Sequence, residues 1–238
     1  MPLPIPSFPV YETEIPSTGK KIKYRPFLVK EEKVLLIAME GEDEKEIELA
    51  VKNILKGCIV SKIKIEDLAT FDLEYLFLRI RAASAGETVS MKVTCLDDNK
   101  TTVNVNINLL DVKVNKPEGH TNKIMLDDTL GIVMKYPSIN EFINITLMDR
   151  DLETTEKVFD MLADCVDQIF QDEEVWDSES TSKKEIIDFF DNLTQKQFEK
   201  IQQFFDTMPS LKHEFKVINP NTGVESNYTL EGLQSFFA

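Results

Sequence analysis

The chain has 238 residues, 42% hydrophobic and 29% charged, with only 8 Gly and 10 Pro; this describes a folded protein of one large domain or two small ones and excludes a linker or low-complexity tract. Its formal net charge of -15 argues against a surface that wraps nucleic acid, which needs clustered Lys and Arg. No apolar run approaches the roughly 20 residues that cross a bilayer, the longest, Val34 to Met39, being far too short.

Pro at positions 2, 4, 6 and 9 interrupts any helix or continuous apolar core at the start of the chain. No signal peptide is expected there, and residues 1–10 read as an extended arm anchored by Leu3, Ile5, Phe8 and Val10. Tyr11 to Ile15 and Lys20 to Tyr24 alternate as two strands around Pro16-Ser17-Thr18-Gly19, a hairpin. Pro26 ends the second strand, and a helix follows from near Leu28, with Val34, Leu35, Ala38 and Met39 on its apolar side. Asp43 is placed to cap a second helix carrying Ile47, Ala50, Val51, Ile54 and Leu55, which Gly57 stops. A third helix, from about Asp72 to Ala85, turns Leu73, Leu76, Phe77 and Ile80 inward, and Gly86 ends it.

From Glu87 the period changes to two. Val89, Met91, Val93 and Cys95 alternate with polar residues, Asp97-Asp98-Asn99 turns the chain, and Val103, Val105, Ile107 and Leu109 return it. Short strands fit Lys123 to Leu126 and Gly131 to Tyr136. After Pro137, capping boxes at Ser138 with Glu141, Ser182 with Glu185 and Thr194 with Gln197 mark helix starts, giving helices near 139–148, 151–170, 183–191 and 195–207. A small hairpin, Lys212 to Ile218 with Val224 to Tyr228, and a short helix holding Leu233, Phe236 and Phe237 complete the chain. The expected fold class is α+β: an N-terminal hairpin plus helices (1–86), a central antiparallel β-rich zone (87–137), and a mostly helical acidic C-terminal half ending in a small hairpin (138–238).

Chemistry is sparse. His120 and His213 have no Cys, His or paired carboxylate at metal-ligand spacing, and no phosphate loop, nucleophile elbow or dinucleotide glycine run occurs. Cys58, Cys95 and Cys165 are odd in number and far apart, which fits reduced core thiols rather than a disulfide framework. Asp97-Asp98-Asn99 lacks the regular alternating oxygen donors of a calcium loop and reads as a turn. No catalytic residue, metal or cofactor is therefore expected.

The acidity is concentrated. Residues 1–86 carry 13 Lys and Arg against 14 Asp and Glu, a net of -1, whereas residues 149–192 carry 4 against 15, a net of -11. On a helix over 151–170, Glu153, Glu156, Asp160, Asp164 and Asp167 line one face and Phe159, Leu162, Val166 and Ile169 the other. Such a stripe is either a solvated face or a docking surface for a basic partner. Arg25, Arg79 and Arg81 are the basic residues to watch, as intramolecular bridges to Glu74 or the Glu31-Glu32 pair or as partner contacts.

Two strings carry a resemblance: Tyr24-Arg25-Pro26-Phe27-Leu28-Val29-Lys30-Glu31-Glu32-Lys33 and Phe71-Asp72-Leu73-Glu74-Tyr75-Leu76-Phe77, joined by the ending Leu230-Glu231-Gly232-Leu233-Gln234-Ser235-Phe236-Phe237. The order and spacing of these unrelated residue types resemble the baseplate protein family of T-even-type contractile-tailed bacteriophages, which includes hub proteins and hub assembly factors. The resemblance implies a hub assembly protein or hub component that binds other phage baseplate hub proteins. It also implies a place in the host cell cytoplasm during phage assembly or in the tail baseplate of the virion, with no nucleic acid, membrane or small-molecule substrate as partner. An acidic inhibitor of the DNA-mimic type is the alternative reading of the charge, and the concentration of that charge in one short segment weighs against it.

Overall fold

The computed structural model describes residues 7–41, 44–138 and 155–236. Two compact units divide the chain, one formed by residues 1–115 with 210–238 and the other by residues 116–209.

In the first unit, β1 (Tyr11–Glu14) and β2 (Lys21–Tyr24) form the expected antiparallel hairpin, Tyr11 facing Tyr24. Gly19 closes it at φ 68°, a conformation open to a residue without Cβ. Ile15 and Ile22 are buried. Helices α1 (Val29–Glu40) and α2 (Glu44–Cys58) follow, and a 3-10 turn at Ile65–Asp67 leads into α3 (Thr70–Ala85). Buried residues occur on every side of α3, among them Phe71, Leu73, Leu76, Phe77, Leu78 and Ile80, the pattern of a helix enclosed by its own unit. Strands β3 (Thr88–Thr94) and β4 (Thr102–Asn108) pair as the alternation predicts, and β5 (Lys113–Asn115) follows.

The second unit opens with β6 (Lys123–Met125) and β7 (Leu130–Met134), and continues through α4 (Thr155–Asp164), β8 (Val166–Gln171), β9 (Glu174–Asp177), α5 (Lys183–Asp191) and α6 (Gln195–Asp206). Its sheet runs β6-β7-β8-β9, all antiparallel. Gly131 lies opposite Phe170, and a Cβ there would meet the Phe170 ring at 2.2 Å, so the glycine makes room for the ring. Ile132, Met134, Val166 and Ile169 from the sheet bury against Leu162, Ile186, Phe190, Ile201 and Phe204 from the helices. The boxes at α5 and α6 form as expected: Ser182 N donates to Glu185 Oε2 at 2.8 Å and Thr194 N to Gln197 Oε1 at 3.0 Å.

The chain then returns to the first unit with β10 (Ser210–Ile218) and β11 (Glu225–Glu231), whose sheet has the order β11-β10-β5. A 3-10 turn at Leu233–Phe236 buries Leu233 and Phe236.

The expectation of a mostly helical C-terminal half is wrong. The described residues are 36% helical and 30% strand, with six helices and eleven strands in small sheets, and four of those strands lie after residue 165. The expected helix over 151–170 accounts for the error. Helix α4 stops at Asp164, and Val166 to Gln171 is a strand paired with β7 on one side and β9 on the other. Spacing of Phe159, Leu162, Val166 and Ile169 fits a helix, but Val166 and Ile169 are buried from a strand, where β-branched residues pack well. The helix expected at 139–148, the box at Ser138 with Glu141, the Asp43 cap and Phe237 lie, wholly or in one partner, outside the described residues.

Candidate functional site

The string beginning at Tyr24 is tied into the first unit by backbone and side chain together. Arg25 N donates to Cys58 O at 2.9 Å, and the guanidinium reaches Pro26 O at 2.8 Å and Glu31 Oε1 at 2.9 Å, with the Phe8 ring beneath it. The second Glu31 oxygen accepts from Leu28 N at 2.6 Å, satisfying an otherwise open donor at the start of α1. Burial alone would push the Glu31 carboxyl up, but the Arg25 and Leu28 bonds hold it below the usual carboxylate range. Cys58 is fully buried beside the guanidinium, and loss of solvation pushes its thiol up to about 11, far from a reactive thiolate.

The second string is the first half of α3, and its charges face inward. Asp72 is 0% exposed; its Oδ1 accepts from Ser17 N at 2.9 Å, and its Oδ2 has no partner among the described residues. Burial raises its pKa. Glu74 accepts from Leu233 N at 3.0 Å and so holds the closing 3-10 turn, and burial pushes this carboxyl up to about 7. Arg79 lies over the Tyr75 ring and donates to Leu109 O at 3.2 Å and Val112 O at 2.8 Å. Arg25 thus bridges to Glu31 as the sequence suggests, whereas Arg79 binds carbonyls and not Glu74. Arg81 differs: it is half-buried, has no hydrogen bond or ion pair among the described residues, and its pKa is lowered by desolvation.

The expected acidic stripe is only partly assembled. Asp160 and Asp164 share Lys183, at 3.7 and 2.8 Å. Asp167 is on β8 rather than on the helix. Glu153 lies outside the described residues, as does the Glu156 side chain. Neither histidine is arranged for chemistry. His120 bonds Thr207 Oγ1 and Tyr136 Oη, each at 3.0 Å, stacks on Tyr136 and Phe204, and is pushed below its ordinary pKa by desolvation. It lines a 340 Å³ cavity whose Lys200 is already committed to Met125 O and Leu126 O. His213 stacks on Phe215. In the Asp97–Asn99 turn, Asp97 accepts from Asn219 Nδ2 at 3.0 Å and Asp98 from Lys100 and Thr101 N at 3.0 Å, so both carboxylates are used structurally. Among the described residues no cluster of His, Cys, Asp and Glu fits a metal ion.

Against the known protein families, the model of the T4 bacteriophage base plate protein matches residues 8–238. The chain belongs to that family. No curated protein and no solved structure matches it. The match begins at Phe8, whose ring covers Arg25, and takes in both compact units. It makes the chain a component of a phage tail baseplate, which is the context for its outward-facing residues.

Two outward features of this baseplate protein escaped the sequence reading. On α1 only Leu35 and Ala38 are buried, while Val29, Leu36 and Ile37 are 68%, 52% and 65% exposed and share one side of the helix at spacings of seven and eight. The signal was an excess: Val29, Val34, Leu35, Leu36, Ile37 and Met39 are more than one face can bury. On β9, Val175 and Trp176 are both exposed. Trp176 is the one tryptophan in the chain, and it falls between the helices expected over 151–170 and 183–191, where no element is expected from the sequence.

Proposed function

We propose that this baseplate protein acts at the hub of the tail baseplate, as an assembly factor or a hub subunit, by binding other hub proteins and without a reacting group of its own. The observation that carries the reading is the bare side of α1, where Val29, Leu36 and Ile37 lie in solvent on a helix that begins within the string Tyr24 to Lys33, which resembles the baseplate family. Exposed apolar residues grouped on one face mark contact surfaces. The groups with chemical potential are occupied: Arg25, Glu31, Asp72, Glu74 and Arg79 hold segments of the first unit together, and the Cys58 thiol is kept protonated. Arg81, with no bond among the described residues, and, separately, the acidic residues Glu153, Glu156, Asp160, Asp164 and Asp167 are the candidate polar contacts for partner proteins.

The test is affinity purification from infected cells. Wild-type protein is expected to bring down hub proteins, and a folded Val29→Ser/Leu36→Ser/Ile37→Ser variant to lose them. Equal recovery by the variant would remove α1 as the docking face, and recovery of no baseplate protein by either form would remove the hub reading. Mass spectrometry of purified particles separates the two roles, since a subunit is present in fixed stoichiometry and an assembly factor is absent.

A further inference from the structure

Among the described residues strand β9 is an open edge of the four-stranded sheet, and its four residues are all exposed. Bonded and non-bonded residues alternate along an antiparallel pair. The bond from Ser178 N to Asp167 O, at 2.9 Å, fixes the phase here, so that Glu174, Trp176 and Ser178 turn their backbone groups toward β8. Val175 therefore directs both N–H and C=O away from the sheet, and Asp177 its N–H. The Asp177 carbonyl accepts from Ser180 N at 3.1 Å and Thr181 N at 3.0 Å, which closes that end of the edge. A row of unpaired backbone groups is a template for one more strand.

The surroundings select the guest. Asp172, Glu173, Glu174, Asp177 and Glu179 flank the edge, with no Lys or Arg between residues 172 and 182. Among the described residues none of these acids has an ion pair, and the next cation, Lys183, is held by Asp160 and Asp164. Edge-to-edge pairing of two copies would set this row against itself, which like charges disfavour. Trp176 faces the same side of the sheet as Ile169 but stays 41% exposed, leaving apolar surface beside the open backbone.

We propose that β9 receives an extended, Lys- or Arg-bearing segment of a partner protein as an added strand. Val175 and Asp177 supply the backbone bonds, the flanking carboxylates the charge match, and Trp176 the contact for an apolar guest side chain. The proposal concerns the chemistry of the guest and stands apart from the hub assignment.

Because Trp176 is the one tryptophan, its emission reports on this edge in the full-length protein. The probe is a synthetic octapeptide alternating Lys and Val, compared with one alternating Glu and Val. The expected result is a saturable blue shift with the Lys peptide that weakens with salt, binding at least about tenfold weaker for the Glu peptide, and slowed amide exchange at Val175 and Asp177. Val175→Pro deletes an outward N–H while sparing the bonds to β8, and is expected to weaken binding about tenfold. Glu173→Lys/Glu174→Lys/Asp177→Lys is expected to exchange the preference for the two peptides, and decides the matter if the proline variant fails to fold. Unchanged emission, full binding by folded Val175→Pro, protection confined to other residues, or a shift to dimer in sedimentation would each overturn the proposal.

Discussion

Helices α1 and α3 lie in the same unit, α1 beginning within the first of the two strings that carry the family resemblance and α3 containing the second, yet they are built in opposite ways. On α3, Asp72, Glu74 and Arg79 are turned inward, and each fastens a distant segment: the β1–β2 turn, the closing 3-10 turn and the chain at Leu109 to Val112. On α1 the charges near its start serve Arg25 and the helix terminus, while Val29, Leu36 and Ile37 meet solvent. Charge marks the framework in one helix, and apolar surface marks the outside in the other. Residue type alone therefore misassigns both, and what decides is whether each group finds a partner within its unit.

The largest effect that would break this contrast is expected in the interior of α3. Phe77→Ala removes a fully buried ring and is expected to cost about 4 kcal/mol in chemical denaturation; a cost below about 1 kcal/mol would mean that α3 is not enclosed. Next comes Arg25→Ala, which strands the Glu31 carboxylate with its side chain only 11% exposed and is expected to cost about 3 kcal/mol, less in the Arg25→Ala/Glu31→Gln double variant.

The third effect is a pH dependence with two signs. Glu74 is raised to about 7 in the folded protein, so the folded state holds its proton more tightly than the unfolded chain. Its contribution is fully present below the ordinary carboxylate pKa of 4.5 and is lost as pH rises to about 7, an effect on the order of 3 kcal/mol. Asp72, also raised by burial, acts in the same direction. Glu31, lowered by Arg25 and Leu28, acts oppositely, and its stabilisation is lost as pH falls below 4.5. Thermal melts from pH 4 to 8 are expected to show a loss of stability between 4.5 and 7 that Glu74→Gln reduces; a slope undiminished in Glu74→Gln assigns it elsewhere. The smallest effect belongs to α1, where Val29→Ser, Leu36→Ser and Ile37→Ser are each expected to change stability by less than about 0.5 kcal/mol. A large loss in denaturation would show that this face is part of the core.

Local chemistry made much of the fold readable. The hairpins around Gly19 and Asp97–Asn99 and the boxes at Ser182 and Thr194 rest on contacts within a few residues, and all form. The β8–β9 hairpin was missed because Val166 and Ile169 fit a helical stripe that began at Phe159. The competing cue, Val-Asp-Gln-Ile-Phe-Gln and Glu-Val-Trp-Asp on either side of Asp172-Glu173, was short, and its turn uses Asp172 at φ 52° instead of a glycine. Pairing of β5 with β10 joins Val114 to Leu211, and no periodicity announces a partner so far along the chain. The candidate contact residues divide similarly: Arg25 sits next in sequence to the helix whose Glu31 it binds, whereas the carbonyl partners of Arg79 and the isolation of Arg81 depend on tertiary packing.

The insertion of residues 116–209 between the two parts of the first unit has a consequence for synthesis on the ribosome. The inserted unit is continuous and can fold as soon as it emerges, but the middle and outer strands of the β11-β10-β5 sheet come from residues after 209. Premature termination there would release a product with one finished unit and one whose β5 has no neighbour, an unpaired edge that invites aggregation.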